Sequence, residues 1–156
     1  MMVGAGYERV FEVGHVYRAE SHNTSRHINE YVSLDLEMGF IEDEKDIMEL
    51  ETRMLREIMT NIRENYQAEL ALLDVEVPEI GEEIPSIPFP EVLSILKEEY
   101  TKELEGDLDP EGERLIAEYV QEKYNSQFVF ITHYPQAKRP MYTMPAEEGL
   151  THSFDL

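Results

Sequence analysis

VFEVGHVYRAESHNTSRHINEYVSLDLE, running from Val10 to Glu37, decides how this chain folds. Tyr7–Tyr17 alternates loosely, with Val10, Val13 and Val16 set among Glu and Arg, which predicts a strand. Residues 20–29 are dominated by Ser, Asn, Thr, His and Arg, a loop composition. Glu30–Ile41 then alternates cleanly. Tyr31, Ser33, Asp35 and Glu37 fall on one face, and Val32, Leu34, Leu36 and Met38 on the other. Together these segments predict a long antiparallel hairpin whose apolar face is core. Arg18, Glu20, Arg26 and His27 gather in its loop region. Two arginines, a histidine and a carboxylate on one hairpin suit the capture of a polyphosphate, because the guanidinium is a permanently charged fork that pairs with phosphate oxygens two at a time.

The rest of the composition sets bounds. A chain of 156 residues has room for one ordinary core, so one domain is expected. Its 42% hydrophobic and 30% charged residues are those of a globular protein. No apolar run reaches the roughly 18 residues of a membrane helix. The start, MMVGAGYERV, lacks the basic and apolar regions of a signal peptide. The absence of cysteine excludes disulfides and thiolate metal sites and fits a cytoplasmic location. A net charge of −21 speaks against a general nucleic-acid binder. Most of it, −17, lies in residues 42–126 and reads as a solvated helical face; residues 1–41 and 127–156 are close to neutral.

Further along, Asp43 is the expected N-cap of a helix to about Tyr66, with Ile47, Leu50, Met54, Leu55, Ile58, Ile62 and Tyr66 as its apolar stripe. Val75–Pro90 carries four prolines among acids and reads as an irregular connector. Glu91–Tyr100 reads as a short helix with Val92, Leu93, Leu96 and Tyr100 inward. Asp109-Pro110 opens another, to Tyr124, with an N-cap followed by proline at the first helical position. Gln127–Tyr134 and Pro140–Met144 read as strands joined by a turn over Pro135–Arg139. The order β–β–α–α–α–β–β makes the fold class α+β. Met1-Met2-Val3 resembles the apolar end of a helix, and Phe154-Asp155-Leu156 the start of a strand, as in a piece of a larger protein. A sheet without its central strands is expected to be marginal and to expose edges and apolar faces.

The hairpin also resembles motif 2 of the class II aminoacyl-tRNA synthetases, most closely the aspartyl enzymes of archaeal and eukaryotic type. F-E-V-G-x-V-Y-R-A-E at 11–20, H-N-T-S-R-H at 22–27 and L-D-L-E-M at 34–38 carry most of the resemblance. D-P-E-G-E-R at 109–114, T-H-Y-P at 132–135, R-P-M-Y-T-M-P at 139–145 and S-F-D-L at 153–156 extend it over nearly the whole chain. It implies part of an antiparallel-sheet catalytic domain, with residues 1–41 as the motif 2 hairpin, 42–126 as a helical insertion and 127–156 as strands leading toward motif 3. The implied activity is activation of aspartate by ATP with Mg²⁺, then transfer to the acceptor end of tRNA, in a homodimer without membrane association.

By the same resemblance, Arg18 is the catalytic arginine, binding the α-phosphate and lying against the aspartate carboxylate. Ala19 and Glu20 belong to the ATP site, with Glu20 on the adenine side. Arg26, His27 and Ile28 match the loop that meets the outer phosphates. Asp35 and Glu37 stand where the family keeps acids on the site floor. As residues alone they invite an acid/base reading, but the chemistry asks for none; polar lining and attraction of Mg²⁺ both remain open. No metal ligand is assigned in this chain: His15, His133 and His152 read as structural or surface histidines without a metal-binding spacing. His22 is left without a role.

Two departures stand out: His15 where the family usually has proline, and Ala146 where relatives commonly have aspartate. The family's amino-acid recognition stretch is expected before Met1, and the motif 3 residues that bind metal and ATP beyond Leu156. The isolated chain is therefore expected to be inactive. Asparaginyl enzymes share R-A-E and T-S-R-H and are the near alternative. An asparagine synthetase derived from the same fold, and a non-catalytic binding module, are the others.

Overall fold

The computed structural model describes residues 1–19, 28–104 and 106–156. The chain forms two compact units, Met1–Glu42 and Asp43–Leu156.

The first unit is the hairpin. β1 (Arg9–Tyr17) and β2 (Glu30–Met38) pair antiparallel in continuous register from Arg9 opposite Met38 to Tyr17 opposite Glu30. The ladder is closed at its base by the Gly39 N–H, which donates to the Glu8 carbonyl at 2.8 Å. Gly39 is required there, since a Cβ would lie 2.8 Å from Val3 Cγ1. Val3 sits in a single 3-10 turn, Val3–Ala5, ended by Gly6 in the left-handed region.

One expectation about the hairpin fails. The apolar face of β2 is not core: Val32, Leu34 and Leu36 are 60%, 48% and 41% exposed, and Phe11 on the paired strand is 74% exposed. Alternation selects the face but supplies no element to cover it. The open face does agree with the expectation that a partial sheet leaves apolar surface uncovered.

The second unit carries the core. α1 (Lys45–Asn65) is followed after Tyr66 by α2 (Gln67–Leu73), a short helix that the sequence reading omits. Asp43 Oδ1 accepts from the Lys45 N–H at 2.8 Å, one position upstream of the N-cap residue Glu44. The deepest positions of α1 are Met48 and Thr52, while Ile58 and Tyr66 of the expected stripe are exposed. Arg56 reaches the Gly81 carbonyl and Arg63 the Pro78 carbonyl at 3.2 Å, so α1 holds the connector by its backbone.

That connector is less irregular than its prolines imply. Ser86–Pro88 forms β3, parallel to β4 (Phe130–Thr132), and β4 pairs antiparallel with β5 (Phe154–Asp155). Between β3 and β4 lie α3 (Phe89–Tyr100) and α4 (Pro110–Tyr124). Pro90 falls in the first turn of α3, where no N–H is needed. Asp109 caps α4, its Oδ1 accepting from the Gly112 N–H at 2.7 Å. Gly112 permits this close turn, because a Cβ would meet Leu104 Cδ1 at 2.9 Å. Ile87, Phe89, Val92, Leu96, Ile116, Val120, Ile131 and Tyr134 pack into one cluster between helices and sheet. Met48, Ile84 and Phe130 form a second, with Phe154 edge-on to Phe130 at 5.2 Å. Burying each large side chain contributes about 1.5–3 kcal/mol.

The strand expected over Pro140–Met144 is a turn instead: the Thr143 N–H donates to the Pro140 carbonyl at 3.0 Å, and Met141 and Tyr142 point to solvent. The excursion from β4 to β5 is closed by bridges between Pro135 and Leu150 and between Pro145 and Thr151. Thr151 is fully buried, its hydroxyl donating to the Tyr134 carbonyl at 2.8 Å. Among the described residues no helix is long and apolar enough to cross a membrane. Helices segregated from a largely antiparallel set of strands make the chain α+β.

Candidate functional site

Pairing and alternation fix what shares a face with Arg18. In the β1–β2 register Glu12 lies opposite Asp35, Gly14 opposite Ser33 and Val16 opposite Tyr31. Arg18 continues the even-numbered face of β1, and its N–H donates to the Asn29 carbonyl at 2.9 Å, one residue pair past the strand ends. One face thus carries Arg18 at its loop end and Glu12, Asp35 and Glu37 toward its base. At about 3.3 Å per residue, Arg18 and the Glu12–Asp35 pair stand roughly 20 Å apart along the strands. Ser33 Oγ donates to Asp35 Oδ1 at 3.3 Å. The base of the face, with Met1 and Met2, outlines a depression of about 220 Å³, below the roughly 300 Å³ of an ordinary ligand pocket.

Arg18, Ala19 and Ile28 are exposed. Glu20, Arg26 and His27, the remaining ATP-site residues expected from the sequence, lie outside the described residues. His15 is on the opposite, apolar face, 3.3 Å from Glu30 and stacked with Tyr17. The arginine at the loop end has the chemistry for phosphate oxygens, whereas Mg²⁺ on the same phosphates takes one or two carboxylates beside them, and Glu12, Asp35 and Glu37 stand at the other end of this face.

Sequence reasoning missed a second constellation in the other unit. Glu44, just before α1, meets His133, just after β4, and His152, just before β5. His152 Nδ1 is 2.8 Å from Glu44 Oε2, and His133 Nε2 is 3.8 Å from Glu44 Oε1. Burial alone would push the Glu44 carboxyl upward, but its backbone hydrogen bond and the two imidazoles hold it below the ordinary value. The three residues sit too far apart in sequence for any spacing rule. The only clue was a T-H next to each of the two short strands.

Close by, Arg139 stacks on the Tyr134 ring, 3.9 Å from its centroid, and reaches within 2.9 Å of Asp155. The contact is ionic, since its N–H groups are not aligned for a hydrogen bond there. It anchors the R-P-M-Y segment to β5.

Comparison with known proteins places this architecture. The family model for class II tRNA synthetases (D, K and N) matches residues 1–156. The chain is 49% identical over its whole length to an aspartate–tRNA(Asp/Asn) ligase of Deinococcus radiodurans, covering 38% of that protein. It is 47% identical to one of Thermus thermophilus, again over its whole length, covering 37% of it. It therefore spans less than two-fifths of these curated relatives. An aspartyl-tRNA synthetase structure from Entamoeba histolytica superposes over 99% of the chain and 33% of its own, with a TM-score of 0.87 and 26% identity. An asparaginyl-tRNA synthetase of Pyrococcus horikoshii complexed with asparaginyl-adenylate shares the fold at a TM-score of 0.83 and 23% identity, over 99% of this chain and 36% of its own. Matched by the family model from its first residue to its last, the chain belongs to the class II tRNA synthetases of the D, K and N group.

Proposed function

We propose that the chain is the motif 2 portion of an aspartate–tRNA ligase. In this reading residues 1–41 are the motif 2 hairpin, 42–126 the helical insertion and 127–156 the approach to motif 3. The whole enzyme converts aspartate to aspartyl-adenylate and transfers it to tRNA, as a cytoplasmic homodimer using ATP and Mg²⁺. What carries the reading is Arg18 at the loop end of a polar hairpin face, in a chain 49% identical throughout to a protein of that activity. ATP, when bound, would supply the α-phosphorus that the aspartate carboxylate attacks, with the bond from that phosphorus to the bridging oxygen breaking and pyrophosphate leaving. Arg18 pairs with the α-phosphate and the carboxylate, holding them in line and offsetting the charge that builds on the phosphate oxygens. Ala19, Glu20, Arg26, His27 and Ile28 complete the nucleotide contacts of this segment. Asp35 and Glu37 keep the far end of the face polar.

Relatives at 49% and 47% identity bear the name aspartate–tRNA(Asp/Asn) ligase. This supports a second, finer reading in which both tRNA-Asp and tRNA-Asn are charged.

Pyrophosphate exchange by the full-length protein tests the assignment. Exchange that needs aspartate, with charging of tRNA, is expected. Exchange that needs asparagine would make it an asparaginyl enzyme, and exchange without charging an asparagine-forming one. The isolated 156-residue chain should support neither step.

A further inference from the structure

We propose that Glu44, His133 and His152 form a site for a divalent transition-metal ion, best suited to Zn²⁺, that is separate from the ATP chemistry. Two imidazoles and a carboxylate are a zinc ligand set. One ligand atom from each residue lies within 4.8 Å of the others. Ligands about 2.0–2.1 Å from a tetrahedral zinc stand roughly 3.4 Å from one another. From Glu44, Oε2 is 2.8 Å from His152 Nδ1 and Oε1 is 3.8 Å from His133 Nε2, on either side of that value.

The surroundings hold the ligands in place. His133 has φ +57°, in the left-handed region that is uncommon for residues other than glycine, so the chain turns sharply as it leaves β4. Its N–H is tied to the Ser153 carbonyl at 3.0 Å, and the His152 N–H to the Met144 carbonyl at 2.9 Å. His133 Nδ1 lies 2.8 Å from Oγ1 of the buried Thr132. In the tautomer whose Nδ1–H donates to that oxygen, Nε2 keeps its lone pair for a metal ion, 3.8 Å from Glu44 Oε1. A hydrogen-bond partner on the other ring nitrogen is what orients a metal-binding histidine.

There is also a way in. Glu44 is buried, but the histidine side chains are 33% and 40% exposed. They open on a cleft of about 510 Å³ lined also by Ala146, Glu147, Glu148 and Leu150. Three protein ligands and an open, acidic side leave a fourth position for water. Bound there, the ion would staple the start of α1 to the strand ends at β4 and β5. The alternative is a metal-free cluster in which an imidazolium alone offsets Glu44.

Metal titration of the 156-residue chain with Co²⁺ and then Zn²⁺ separates the two, with chelator-treated protein as the start. We expect one equivalent of Co²⁺ with the visible absorption of a four-coordinate ion, displacement by Zn²⁺, and a rise in Tm on metal addition. His133→Gln and His152→Arg should each weaken binding about tenfold or more. His152→Arg matters most, because it still gives Glu44 a cationic partner and so keeps the fold while removing a ligand. Glu82→Gln with Glu83→Gln, in the exposed connector, should change nothing. Absence of uptake would overturn the site. So would weak uptake by many carboxylates, or binding that survives both histidine substitutions.

Discussion

Glu44 and His152 stand 108 residues apart in sequence and meet at 2.8 Å, carboxylate to imidazole, where α1 begins and β5 is about to start. The pair joins two ends of the second unit, and its acid is buried. With metal excluded by chelator, His152→Ala removes a partner from that acid. Loss of a hydrogen bond to a buried charged group costs about 1–3 kcal/mol. Thermal or urea unfolding should show a loss of this size, with most of it restored by His152→Arg. An unchanged midpoint in the alanine variant would mean that His133 or water carries Glu44 alone.

The helix α4 predicts an acid-sensitive element. Lys102 Nζ lies 2.9 Å from Asp109 Oδ2, and the Gly112 N–H bonds to Oδ1. Both, the lysine first, hold the Asp109 carboxyl below its ordinary value. A depressed carboxyl stabilises the fold above the pKa it has when unfolded, about 3.9, and that contribution is lost as pH falls through the lower folded value. The Tm should therefore drop as pH is taken below about 4. Asp109→Asn keeps an oxygen for the cap but has no charge to lose. Its Tm should be lower at pH 7 and fall less steeply in acid. Parallel acid limbs in the two proteins would show that Asp109 contributes nothing to the slope.

How much of this was legible follows from which forces are local. The hairpin, the Asp109 cap and the stripe of α3 follow from period and capping chemistry within a few residues, and they appear where expected. β3 was hidden because a strand three residues long has too little pattern, and Pro85 and Pro88 mark turns more strongly than strands. The Pro140–Met144 segment alternates like a strand, but its Thr143 N–H closes a turn onto the Pro140 carbonyl, and only its end, at Met144, meets the backbone of His152. The Glu44–His133–His152 cluster was invisible because it exists only through tertiary closure. In the hairpin site, Arg18 was legible as one cation in a polar loop region, whereas its shared face with Asp35 needed the register.

The large apolar core makes a contrast with the open hairpin face. Leu96 is fully buried in the main cluster, so Leu96→Ala should cost about 2–5 kcal/mol. Leu34→Lys, on the exposed face, should change stability by no more than about 0.5 kcal/mol. It should also reduce self-association, since Phe11, Val13, Val32, Leu34 and Leu36 together present a contiguous apolar surface. Unfolding midpoints and light scattering read both effects. A strong destabilisation by Leu34→Lys would show that this face is covered in solution by another copy of the chain.

Arg18 gives the sharpest test of the proposed chemistry. A surface ion pair contributes about 0–1 kcal/mol and no rate, so under that reading Arg18→Ala leaves both stability and activity nearly unchanged. A phosphate-binding arginine acts on charge that develops in the transition state, and losing such a contact costs about 10²–10³-fold in kcat. Aspartate-dependent exchange by the full-length protein should fall by that order in Arg18→Ala, with Tm held. Arg18→Lys keeps the charge but not the two-pronged geometry, so it should recover only part of the rate. Full recovery by lysine would mean that charge alone, not the fork, does the work at this end of the hairpin.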